Sequence, residues 1–134
     1  MIGIDTNILV RYLVQDAPVQ AAIVNKLMAR CEDDEDEIWI AQITLCEMVW
    51  VLESCYKFSK QEILKVFNAL FEITQIKMEN SAIVYEALSD YKKHKKSDFA
   101  DCLIGKNNRV HGCSSTYTFD KGASKLEYFK LLHK

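Results

Sequence analysis

Short apolar runs alternate along this chain with longer stretches in which apolar residues return every three or four positions. Met1–Ile4 is apolar until Asp5 stops it, the pattern of a buried first strand. In Asn7–Val14, Ile8, Leu9, Tyr12 and Leu13 share one helical face, and Pro18 suits the first turn of a second helix running to about Arg30. Glu32–Glu37 reads as a loop, Ile38–Ala41 as a second strand, and a strongly apolar helix follows from about Leu45 to Cys55. Ser59 with Glu62 three positions on forms a capping box that opens a helix over Lys60–Phe71. Ile73–Met78 predicts a third strand, and Ser81–Lys92 a helix with Ile83, Ala87, Leu88 and Tyr91 inward. Ser97 is the expected cap of the next helix, which ends near Val110 ahead of Gly112. Ser114–Phe119 predicts a strand, Lys121–Leu126 a helical turn and Tyr128–Leu132 a last strand.

Strands that alternate with helices of this length need crossover connections, which imply a parallel sheet covered on both faces. The fold class is therefore α/β: a three-layer α/β/α sandwich around a central, mainly parallel sheet of four to five strands. With 134 residues, four Gly and one Pro, there is room for one domain, 1–134, and none for long linkers. The first residues turn acidic too soon for a signal peptide, and no apolar run reaches the roughly 18 residues of a membrane helix. The expected location is cytoplasmic.

The chemistry-bearing residues exclude several classes. Five cysteines (Cys31, Cys46, Cys55, Cys102, Cys113) include no CxxC pair, and their expected role is as small buried apolar residues. His94, His111 and His133 form no triad with a Ser or Cys. Net charge is only −2, so the chain is no bulk polycation. Locally, Glu32–Glu37 is an acidic run whose expected role is solvated surface, whereas Lys92, Lys93, His94, Lys95 and Lys96 form a basic one ending just before Ser97-Asp98. That basic run is placed to lay a phosphate backbone beside the acids described next, or simply to aid solubility.

Five carboxylates stand at or just after strand-to-helix junctions: Asp5, Glu47, Asp98, Asp101 and Asp120. In a parallel sheet those junctions share one edge. Each acid has a structural alternative, because Asp and Glu also satisfy the orphan N–H groups of helix starts. Thr44-x-x-Glu47 is formally a capping box, Asp5 and Asp120 are candidate N-caps, and Asp98 and Asp101 share one face after Ser97. Capping accounts for each acid singly but not for its recurrence at junction after junction. Carboxylates without accompanying Cys or His point to a hard divalent cation, Mg²⁺ or Mn²⁺, rather than zinc. Such an ion activates water and stabilises charge on a phosphoryl oxygen, which leads to phosphodiester hydrolysis.

Four segments together resemble the PIN domain, a metal-dependent ribonuclease fold. They are Ile2–Arg11 (IGIDTNILVR), Thr44–Leu52 (TLCEMVWVL), Ser97–Gly105 (SDFADCLIG) and Thr116–Lys121 (TYTFDK), in matching order over nearly the whole chain. The short form is most similar to the VapC toxins of prokaryotic toxin–antitoxin pairs. The resemblance implies an endoribonuclease in which Asp5 is the central metal-binding acid, Glu47 the second, Asp101 the third and Asp120 the last, with Asp98 an additional acid one turn earlier. Thr6 and Asn7 would support the site, Thr118 would hydrogen-bond a ligand or carboxylate, and Arg11 would meet substrate phosphate, meet an antitoxin or form a surface ion pair. Cys102 departs from the family pattern, standing where Ala is common. The implied partners are RNA, an antitoxin protein, and a second copy in a homodimer or a larger assembly with the antitoxin. A housekeeping RNA-processing nuclease and a non-catalytic binding module remain as alternatives. A haloacid-dehalogenase-type phosphatase, which needs a second Asp two residues after the first, meets Asn7 there.

Apolar residues on the early helices (Val19, Ile23 and Val24; Phe67, Leu70 and Phe71) are expected mostly in the core, with partner contacts as the alternative.

Overall fold

Every strand and helix expected from the hydrophobic pattern forms, with boundaries moved by a few residues. The computed structural model describes residues 1–133, and the chain divides into two units, Met1–Glu79 and the remainder from Asn80.

The first unit runs β1 (Ile2–Gly3), α1 (Thr6–Val14), α2 (Pro18–Asp33), β2 (Ile38–Ile40), α3 (Gln42–Ser54), α4 (Lys60–Glu72) and β3 (Ile76–Met78). Its strands pair in parallel in the order β1-β2-β3, with Ile2 opposite Ile38, Ile38 opposite Ile76 and Ile40 opposite Met78. Aliphatic residues thus stack in register across the sheet. Ile38 and Ile40 are almost wholly buried while Trp39 between them is 39% exposed, the period-two alternation of a strand. Leu9, Leu45, Met48, Leu52, Ile63, Phe67 and Leu70 bring the helices onto a common core, each with no exposed surface. Pro18 opens α2 at the position where its missing N–H costs nothing. The Ser59–Glu62 capping box is formed, each side chain meeting the other residue's backbone N–H, at 3.0 and 3.2 Å.

The second unit runs α5 (Ser81–Lys93), α6 (Phe99–Val110), β4 (Thr116–Thr118), a 3₁₀ turn at Ala123–Lys125 and β5 (Phe129–Leu131). Tyr91 of α5 and Phe99 of α6 meet edge to face, ring centres 6.2 Å apart, and both are fully buried. Gly105 lets α6 approach β5: a Cβ there would collide with the Phe129 ring. β4 and β5 pair in parallel, Thr116 opposite Phe129 and Thr118 opposite Leu131. Among the described residues every strand pairing is parallel, three strands in the first unit and two in the second, as the α/β reading requires.

Four local expectations change. Helix α3 starts at Gln42 rather than Leu45, so Thr44 is a buried residue within its first turn and not a cap. Ser97 is also buried, its hydroxyl donating to the His94 carbonyl (2.7 Å), and the cap of α6 is Asp98 instead. Of the cysteines, Cys31 and Cys102 are buried and Cys46 is half-buried; Cys55 and Cys113 are exposed, because each lies where the chain leaves a helix. Val24, Phe67 and Leu70 are buried and Phe71 half-buried, but Val19 and Ile23 lie on the outer face of α2 and are exposed. Among the described residues no helix is long and apolar enough to cross a membrane.

Candidate functional site

In the first unit, β1 ends and the chain enters α1 through Asp5, whose extended backbone makes it the N-cap: its Oδ1 accepts the Ile8 N–H at 3.1 Å. The capping alternative for Asp5 is therefore realised. A carboxylate that caps through one oxygen still offers a second to another partner, and Asp5 is exposed. Glu47 behaves differently. Because α3 opens at Gln42, Glu47 stands in the second turn, beyond the reach of any cap role. Its Oε1 instead accepts the Thr6 hydroxyl at 3.1 Å, across 41 positions of sequence. The residue following Asp5 thus ties the second acid to the carboxyl end of β1.

The orphan N–H of α3 is met from elsewhere. Ala41, its N-cap, has no side chain to offer, and the Gln42 N–H donates to Glu79 Oε1 (2.9 Å), just past the end of β3. Glu79 is a half-buried acid at the sheet's carboxyl edge that the sequence pattern did not single out. Its signal, an acid directly after an apolar run, was present, but its target lies 37 positions away.

Arg11 takes the ion-pairing reading. Its Nε donates to Gln20 Oε1 at 2.7 Å, and its Nη1 lies 3.2 Å from the Tyr56 hydroxyl and 3.5 Å from Asp16 Oδ1. Tyr56 in turn donates to Asp16 Oδ2 at 2.8 Å. Arg11 and Tyr56, with Thr6, Asn7, Val10, Val51 and Cys55, line a cleft of about 520 Å³ beside the α1 start.

In the second unit, Asp98 caps α6 by accepting the Asp101 N–H at 2.8 Å. Asp120 accepts from both Gly122 and Ala123 N–H at 2.7 and 3.1 Å, fixing its carboxylate over the 3₁₀ turn. Thr118 Oγ1 accepts the Asp120 N–H at 3.0 Å, so what it positions is the backbone that carries that acid. Asp101 differs from both. Half-buried on the first turn of α6, its carboxyl is pushed up to about 6, first by loss of solvent and then by the neighbouring carboxylates of Asp98 and Asp120. Asp98, Asp101 and Asp120 are therefore close enough to repel, the condition that a bound cation relieves.

The donor set, all carboxylate oxygens, suits a hard divalent ion. The crowding acts at coulombic range: among the described residues no three His, Cys, Asp or Glu side chains are drawn tightly enough together to hold a metal ion as they stand.

Asp98 and Asp101 open a helix that follows α5 and not, as the sequence pattern suggested, a strand. Parallel strands joined by helices define an α/β protein, in which Asp5 follows β1 and Asp120 follows β4. More narrowly, the chain belongs to the PIN-domain family, whose profile matches residues 2–127. It is also similar to a VapC ribonuclease of Aquifex aeolicus (strain VF5), with 20% identity over 125 residues that cover 93% of this chain and 91% of that protein.

Proposed function

We propose that this protein is a Mg²⁺- or Mn²⁺-dependent endoribonuclease, a single nuclease domain over residues 1–134, and the toxin of a toxin–antitoxin pair. The observation that carries the reading is the Thr6–Glu47 hydrogen bond. It holds an exposed acid that caps nothing beside the Asp5 junction. The family match supports nuclease chemistry, and the VapC relative supports the toxin role.

By the family resemblance, Asp5, Glu47, Asp101 and Asp120 are the carboxylates that would hold the ion, with Asp98 a further candidate. When bound, the ion supplies an acidified water and stabilises charge on a phosphoryl oxygen. The chain's part is to restrain its carboxylates. Backbone N–H groups hold one oxygen each of Asp5, Asp98 and Asp120, and Thr6 holds Glu47, which limits the rotamer freedom each would lose on binding. The amino ends of α1 and α6 each carry positive potential of the kind that favours a phosphate. An antitoxin segment with an Arg or Lys inserted among these acids would silence them. The protein works in the cytoplasm, as a dimer or in a larger complex with that antitoxin.

The test is cleavage of a mixed RNA pool by purified protein with Mg²⁺ or Mn²⁺, beside EDTA and the Asp5→Asn and Glu47→Gln variants. Cleavage that needs the metal and both acids supports the proposal. Folded, partner-free protein that cuts nothing in either metal contradicts it. Growth arrest on expression, relieved by the product of an adjacent small gene, tests the toxin role.

A further inference from the structure

Strand β4 presents its residues in alternation. Thr116 and Thr118 are half-buried, whereas Tyr117 and Phe119, two positions apart, are 63% and 79% exposed. Two neighbouring aromatic rings held in water are costly to leave uncovered. Tyr117 lies within β4 and Phe119 at the bend just past its end, so both rings stand at the carboxyl end of that strand.

The charges around them are basic. Lys130 of β5 stands directly opposite Tyr117 in the parallel register, and Lys121 follows Asp120 two positions beyond Phe119; both are exposed. The backbone of Lys96, which closes the Lys92–Lys96 run, packs against the turn after Asp120, its carbonyl oxygen 3.0 Å from where a Cβ on Gly122 would sit. Exposed Lys96 thus flanks the same turn, with exposed Lys95 next to it in sequence. Aromatic faces interleaved with cations beside an acid are the features by which proteins hold single-stranded nucleic acid: rings stack bases of any identity while cations track phosphates.

We infer that the β4 face is the substrate platform, on which unpaired RNA lies with bases stacked on Tyr117 and Phe119 and phosphates against Lys121, Lys130 and the Lys95–Lys96 pair. The inference rests on the ribonuclease reading and assigns the side chains that hold its substrate. Asp120, between Phe119 and Lys121, then stands beside the strand it helps to cut.

The experiment measures binding apart from cleavage. Fluorescein-labelled single-stranded RNA of mixed sequence, and the same sequence as a duplex, are titrated with Asp5→Asn protein in Mg²⁺ and followed by anisotropy; wild-type cleavage is scored in parallel. Further variants in that background are the Tyr117→Ala/Phe119→Ala double, Phe119→Trp, and the Lys121→Gln/Lys130→Gln double. Loss of both rings should weaken single-strand binding at least tenfold, from about 5- to 100-fold per stacked base. Phe119→Trp should retain binding, and its added indole fluorescence should be quenched by RNA. Loss of the two lysines should flatten the salt dependence by roughly 1.4 in log–log slope. Because these side chains are exposed, melting temperatures should hold, which separates lost binding from lost folding. Unchanged affinity in the aromatic double, equal weakening for the duplex, or a changed oligomeric mass showing that the rings seat a second copy would each overturn the inference, even if the wild type cleaves. Aromatic-dependent binding by protein that never cleaves would keep the platform and remove the nuclease.

Discussion

Replacing Asp101 by Asn should stabilise the metal-free protein, and the gain should disappear in acid. The carboxyl stands at about 6 in the fold against 3.8 as a free side chain. Above pH 6 it is ionised in both states, but the folded state holds the charge at a cost, because burial, Asp98 and Asp120 all oppose it. Below 3.8 it is protonated in both states and the cost vanishes. Wild-type stability attributable to this group therefore falls as pH rises from about 4 to 6, then levels off. A shift of about 2 pH units corresponds to at most about 3 kcal/mol. Asp98 and Asp120 are exposed and Asp101 only half-buried, so solvent screening brings the expected cost nearer 1 kcal/mol. For a chain of this size that is about 3–5 °C in Tm.

The assay is thermal unfolding of wild type and Asp101→Asn in EDTA at pH 4 and pH 7.5. The variant should melt higher at pH 7.5 and level with wild type at pH 4. Millimolar Mg²⁺ or Mn²⁺ should then raise the wild type more than the variant, since an ion that binds only the folded state stabilises it. A variant that melts lower than wild type at pH 7.5, or a gap of the same size at both pH values, would refute the reasoning. It would mean that Asp101 is held by contacts its repulsive neighbours do not outweigh.

Three further outcomes follow from local geometry. Asp5→Ser keeps an acceptor for the Ile8 N–H and should melt close to wild type while losing metal-dependent cleavage; Asp5→Ala should lose that activity and about 1 kcal/mol of stability, measured by unfolding beside the cleavage assay. Thr6→Val removes the donor to Glu47 and should lower cleavage about 10- to 100-fold at fixed metal, with little change in Tm; full activity would show that Glu47 needs no positioning. Gly105→Ala, whose Cβ would meet the Phe129 ring, should cost about 1–3 kcal/mol in denaturant unfolding.

What the sequence disclosed, and what it hid, follows the range of each interaction. Helix faces and strand alternation are set by residues within a few positions of one another, so the Ile38–Trp39–Ile40 strand and the Ser59–Glu62 box were both legible. Adjacent cap-type residues compete, and the pattern cannot rank them. Ser97 lost the α6 cap to Asp98 because burial and the His94 carbonyl claimed its hydroxyl first. Thr44-x-x-Glu47 matched a capping box in spelling, but the helix begins at Gln42, whose N–H is met by Glu79 from just past β3. Likewise Arg11 was visible as a cation, whereas its hydroxyl and carboxylate partners, Tyr56 and Asp16, depend on how α1, α2 and the end of α3 fold together.

On the proposed nuclease reading, capping and catalysis do not compete for these acids. A surface carboxylate ordinarily swings through several rotamers, and an ion that needs two or three of them must stop each one. At Asp5, Asp98 and Asp120 a backbone N–H already holds one oxygen, and the amino end of a helix favours negative charge there. The N–H that would otherwise be a local detail of helix initiation becomes the clamp that aims the other oxygen. Asp101 has the contrary setting: the groups acting on its carboxyl are burial and two carboxylates, all raising its affinity for a proton. A divalent ion would compete directly with that proton, so the least comfortable acid would gain the most from ligation, while the capped acids would give the ion fixed points to bind. The pairing of clamped acids with one strained acid accounts for why a helix-start residue is an acid at both Asp98 and Asp101, where capping alone asks for one.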